Sequence, residues 1–208
     1  MRRSLWWGRL AWAGLAAVAA LVALLWLMNT RDESHTDDLS GSQAPAAPAS
    51  PALLARGEYL TRAGNCASCH TARGGAPLAG GRGIETPFGT VFSSNLTPDR
   101  DSGLGHWSRS DFWRALHNGR SRDGHLLYPA FPYTSYTQVS RADADAMHAY
   151  LQSLPAVATT PTPHTLRWPF NTQAALAVWR ALYFSPGGFV PEAVQSAEWN
   201  RGAYLVRG

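Results

Sequence analysis

The sequence predicts a mainly α-helical fold with long loops, preceded by a single transmembrane helix, and three observations carry that prediction. Leu10 to Met28 runs for 19 residues without a charge. Helical hydrophobic patterns begin at Leu53, Ser108 and Ser140, the last two behind Ser-x-x-Asp pairs of the kind that cap helix N-termini. Between them the chain is rich in Gly and Pro, and loops of that length need something at their centre to wrap around.

Residues 1–28 read as a transmembrane signal-anchor. As a helix the uncharged run spans roughly 28 Å, close to the thickness of a bilayer core. Arg2, Arg3 and Arg9 precede it, while Asp32, Glu33, Asp37 and Asp38 follow. The positive-inside rule therefore puts the N-terminus in the cytoplasm and everything after Met28 outside. Trp6, Trp7 and Trp26 stand near the two ends, where an aromatic belt lies. The apolar stretch is long for a cleaved signal peptide, and Asn29 to Ser34 lacks a small-residue cleavage pattern. The expected location is the bacterial inner membrane, with the rest of the chain facing the periplasm.

Residues 29–52 are rich in Asp, Ser, Ala and Pro and read as a linker, stiffened by Pro45, Pro48 and Pro51. Residues 53–157 form the expected domain. Leu53, Leu54, Tyr59 and Leu60 set out a helix ending at Gly64, and a short hairpin is expected around Thr86 to Ser93. Ser108 and Asp111 open a helix that Gly119 closes. Ser140 and Asp143 form a second capping pair, opening a helix whose Met147, Tyr150, Leu151 and Leu154 share one face before Pro155 stops it. Residues 158–208 form a connector with a helix from about Asn171 to Phe184, its apolar side being Leu176, Trp179, Leu182 and Tyr183. That side is expected to pack between domains rather than on a membrane, since the helix lacks a Lys/Arg-rich polar face.

Charged residues are only 15% of the chain, and the formal charge of +4 comes from scattered Arg, with no Lys at all. No basic run interleaves with aromatics, which excludes a nucleic-acid partner. The two cysteines, Cys66 and Cys69, are followed at once by His70. Cys-x-x-Cys-His is the attachment signature of c-type haem. The two thiols add across the haem vinyl groups from one edge of the porphyrin, and His70 reaches the iron as its axial ligand. A zinc half-site would need two more ligands at suitable spacing, and a thioredoxin-like dithiol would need a βαβ setting; the sequence offers neither.

ARGEYLTRAGNCASCHTA, ETPFGTVFSSNLTPD, GHWSRSDFWRALHNG and LYPAFPYTSYT resemble the cytochrome c subunit of membrane-bound periplasmic dehydrogenases, the multihaem family that serves alcohol and gluconate dehydrogenases. The resemblance runs from about Leu53 to the C-terminus. It implies a class I cytochrome c fold around haem c. It also implies electron transfer from a periplasmic dehydrogenase catalytic subunit towards quinone or a terminal oxidase, with no substrate-converting site on this chain. Arg56-Gly57-Glu58-Tyr59-Leu60-Thr61-Arg62 recurs as Arg201-Gly202-Ala203-Tyr204-Leu205-Val206-Arg207, 145 residues later. The second copy stops just short of where another attachment motif would begin, so the chain is expected to be truncated after its first haem domain, one haem in all.

The family usually carries a Met opposite the axial His, in a segment like YPAMPY. Here that place is Phe131, which cannot coordinate iron. Met147 is the only Met beyond the motif and lies on a helical apolar stripe, where Met usually fills core. His117, His125, Met147 or no residue at all therefore remain as the sixth ligand. Without a Met the iron site could be open, which leaves a haem-based sensor or ligand-binding module as the alternative function.

Overall fold

The computed structural model describes residues 2–30 and 49–207, with the side chains of the first helix from Trp12 onward. Most of the linker lies outside the described residues, including its acidic cluster at Asp32, Glu33, Asp37 and Asp38, as do the side chains of Arg2, Arg3, Trp6, Trp7 and Arg9. Helix α1 (Arg2–Asn29) is continuous, and Trp12–Asn29 is long and apolar enough to cross a membrane. Every residue from Trp12 to Leu24 is exposed; only the final turn, at Leu25, Met28 and Asn29, is covered.

Helix α2 (Pro51–Ala63) begins two residues before the apolar pattern does. The Ser50 side chain accepts a hydrogen bond from the Leu53 N–H, and Pro51 stands in the first turn, where a missing N–H costs nothing. The one-turn helix α3 (Cys66–His70) follows directly. Strands β1 (Gly83–Thr86) and β2 (Gly89–Phe92) form the expected hairpin, Gly83 opposite Phe92 and Thr86 opposite Gly89. Helix α4 (Arg109–Asn118) carries a complete Ser108/Asp111 capping box and closes at left-handed Gly119. A single turn, α5 (Tyr133–Tyr136), precedes α6 (Arg141–Gln152).

The connector holds β3 (Thr165–Leu166), α7 (Gln173–Tyr183, capped by Thr172) and α8 (Ala197–Arg207). Strand β3 pairs antiparallel with β2, so the sheet order is β1-β2-β3. Gly89 is required where they meet. Its φ is 125°, and a Cβ there would stand 2.2 Å from the Thr165 carbonyl oxygen.

The core sits where α2, α4 and α6 converge. Helices α2 and α6 cross at Gly57, where an added Cβ would come within 2.0 Å of the Ala146 carbonyl oxygen. Ala144 and Ala146 are fully buried at that crossing. Around it gather Leu60, Leu78, Leu104, Phe112, Leu116, Val139, Met147 and Leu151, one apolar cluster.

Two expectations change. The Ser140 hydroxyl accepts from the Asp143 N–H at 3.2 Å, but the Asp143 carboxylate does not complete a capping box. The Ser140 N–H donates instead to the Tyr204 hydroxyl, because α8 lies across the start of α6. On α7, Leu176 is buried and Trp179 half-buried, whereas Leu182 and Tyr183 are 67% and 69% exposed. The covered side includes Arg180, whose guanidinium lies 4.6 Å from the Phe184 ring centroid. A binary apolar pattern puts such a charge outside; ring contact lets it turn in.

Candidate functional site

The site is built on the turn between α2 and α3. Gly64 caps α2, and Asn65 takes a left-handed conformation (φ 53°) that turns the chain straight into Cys66. Cys66 and Cys69 are both free thiols and both partly buried, and Cys66 packs against the apolar cluster. Burial pushes the Cys66 thiol up to about 11. The Tyr136 hydroxyl donates to the Gly64 carbonyl at 2.8 Å, fixing the turn from the far side.

His70 ends α3. Its Nδ1 lies 2.7 Å from the Ser94 carbonyl oxygen, a bond that keeps the proton on Nδ1 and turns Nε2 to the other side as the available ligand nitrogen. Burial lowers the His70 pKa, with the Ser94 hydrogen bond opposing it, so the neutral, ligating form is favoured. The segment after His70 is tied to the same frame. The Gly80 N–H donates to the His70 carbonyl, and the Leu96 N–H to the Leu78 carbonyl, both at 2.8 Å. Leu78 itself is 6% exposed and held at φ 60°, a conformation that a bulky residue adopts only when its surroundings impose it.

This donor set fits a covalently attached haem. Two thiols, an imidazole with one nitrogen committed to a backbone carbonyl, and an adjoining wall of Leu, Phe and Tyr side chains are what such a group requires. Among the described residues no three His, Cys, Asp or Glu gather as a metal cluster.

The sixth-ligand candidates are dispersed. Met147 is 5% exposed within the α2–α6 core. His117 is buried on another flank of α4, its Nδ1 2.8 Å from the Thr137 carbonyl and its ring stacked on Trp113 at 4.5 Å. His125 pairs with Asp123 at the surface. Phe131 packs against the cluster and against Tyr136, ring centroids 5.4 Å apart.

A second polar centre lies away from the thiols. The buried Asp143 carboxylate accepts from Arg56 Nε at 2.6 Å and from the Tyr204 hydroxyl at 2.7 Å, with Arg201 Nη1 at 3.6 Å. These residues and His117 line an open cleft of about 730 Å³ between α4, α6 and the last segment of the chain. Sequence reasoning missed the Ser94 carbonyl, the Tyr136 hydroxyl and the Asp143 centre. The first is a backbone atom and leaves no trace in residue type; the repeated Arg-Gly-x-Tyr was the only signal for the last.

The family model for cytochrome c matches residues 54–155. The whole chain is 42% identical to part of a nicotinate dehydrogenase subunit of Pseudomonas putida, covering 17% of that protein. Over 77% of its length it is 43% identical to the gluconate 2-dehydrogenase cytochrome c subunit of Pantoea cypripedii, covering 37% of that relative. The whole chain is also 38% identical to a diheme cytochrome c-type protein of Cereibacter sphaeroides, covering 67% of it. The chain thus spans well under half the length of the first two relatives.

Proposed function

Because this chain belongs to the cytochrome c family, among the cytochrome c subunits of dehydrogenases, we propose that it relays electrons from the catalytic subunit of a periplasmic dehydrogenase to quinone or a terminal oxidase. Cys66 and Cys69 tether haem c, and His70 ligates its iron through Nε2. Helix α1 holds the domain at the periplasmic face of the bacterial inner membrane. The observation that carries this reading is the His70 Nδ1 bond to the Ser94 carbonyl, which leaves one nitrogen for iron directly behind two thiols.

Haem bound here supplies a one-electron couple at its iron. The chain's own residues set the conditions. The Ser94 carbonyl orients the imidazole and fixes its tautomer. The apolar cluster keeps water from one side of the site, which disfavours added charge and so tunes the potential. No acid, base or nucleophile is asked of this chain, because the substrate belongs to the partner. Helix α8 repeats the second half of α2, and we read it as the opening helix of a further unit of the same kind; the repeat and the longer relatives support that.

Replacing Cys66 and Cys69 together by Ala should abolish haem staining on a denaturing gel. Haem retained by the double variant would refute the attachment site. A second reading, a haem-based sensor with an open iron site, draws on Phe131 standing where a ligand is expected. Ready carbon monoxide binding to the reduced protein would favour it.

A further inference from the structure

Helix α7 is inverted for a helix that faces water. Its one charged residue, Arg180, is 1% exposed, while Ala174, Val178 and Leu182, spaced four apart on one stripe, point outward without a charge among them. Val178 is 44% exposed, and Tyr183 at the helix end stands beside the stripe.

The same helix receives the end of α1. Asn29, 6% exposed, donates from Nδ2 to the Ala177 carbonyl at 3.0 Å. Arg120 Nη2 in turn donates to the Asn29 carbonyl at 2.9 Å. The domain therefore grips α1 at its last turn, where an apolar span meets the headgroups, and Ala177 lies in sequence between two members of the exposed stripe.

We propose that Ala174, Val178, Leu182 and Tyr183 lie in the interfacial layer of the bilayer that α1 crosses, so that the haem domain meets the membrane at two places. The inference rests on reading α1 as a membrane span. Free amphipathic helices draw on a cationic face to reach a bilayer. Helix α7 does not need one, because α1 already delivers it there, and burial of the uncharged stripe in lipid supplies the remaining attraction. A Tyr at the end of the stripe suits the headgroup level.

Single nitroxide labels on the full-length haem-loaded protein test this, since Cys66 and Cys69 are consumed as thioethers. Labels are placed at Val178→Cys and Leu182→Cys, at Val18→Cys within the span, and at Arg62→Cys on the exposed side of α2. All four sites are exposed, and an unchanged haem spectrum verifies folding. In vesicles of phosphatidylethanolamine and phosphatidylglycerol, accessibility to oxygen is compared with accessibility to a water-soluble nickel chelate. The expected oxygen-to-chelate ratio at 178 and 182 is several-fold above that at 62 and approaches that at 18. If 18 reports lipid while 178 and 182 match 62, the stripe is in water and the inference fails with the anchor intact. If 178 and 182 are closed to both reagents, protein covers the stripe and the inference fails again. If 18 also reports water, the anchor reading falls and takes this one with it.

Discussion

His70 can offer iron only one nitrogen, because the Ser94 carbonyl holds the other at 2.7 Å. Two side chains bear on the proposed sixth-ligand position, and neither offers iron a free sulfur. Phe131 packs beside Tyr136, in the place where the family carries a sulfur, and brings no lone pair. Met147 has the sulfur but spends it on the α2–α6 core, 5% exposed among Leu and Ala side chains. Met147→Leu conserves volume there, so it should cost under about 1.5 kcal/mol and leave the haem spectrum unchanged. The oxidised wild type should lack the weak far-red band of sulfur-to-iron charge transfer. Loss of a low-spin spectrum in Met147→Leu, with folding intact, would restore ordinary His/Met coordination. Conversion to high spin in His117→Ala or His125→Ala would name that residue instead.

Two helices that share a motif use its glycine differently. In α2, Gly57 lets the backbone of α6 approach so closely that an Ala side chain would strike the Ala146 carbonyl. In α8, the equivalent Gly202 has nothing within 4 Å of where a Cβ would stand. Gly57→Ala should therefore destabilise the domain by about 1–3 kcal/mol, read as a lower urea midpoint. Gly202→Ala should do the reverse locally, raising amide protection along α8 by roughly 0.5–1 kcal/mol through backbone entropy alone. Equal effects would mean that the two copies share a packing role. The same scale shows what the sequence reveals. Ser50, Ser108 and Gly119 act within four residues of themselves, and the helices they bound are legible for that reason. Strand β3, the Ser94 carbonyl and the Tyr204 bond to Asp143 join segments 24 to about 80 residues apart. No local pattern announces those pairings; only folding brings the partners together.

Across the whole molecule, stability carries a pH signature. His148 is buried against Phe112, with Nε2 3.1 Å from the Trp107 carbonyl. Burial lowers its pKa, and burial also lowers that of half-buried His164. The unfolded chain takes up protons as pH drops below about 6.5, while the native imidazole stays neutral. The stability is thus complete above that value and declines as pH falls towards the lower native pKa. His148→Gln should flatten this acid limb in denaturant midpoints measured from pH 7 to 5, leaving a residual slope from His164; an unchanged limb would put the burial penalty elsewhere. The other molecule-wide feature is the carboxylate of Asp143, which Arg56 and Arg201, the same position in two copies of one motif, both approach. Such a joint has polarity. On the proposed reading of α8 as the opening helix of a further unit, one unit would present the socket on its closing helix and the next would present the key on its opening helix. An engineered tandem that kept this order would inherit a ready-made seat at each junction, whereas one with its units reversed would set key against key and leave every carboxylate without its second arginine.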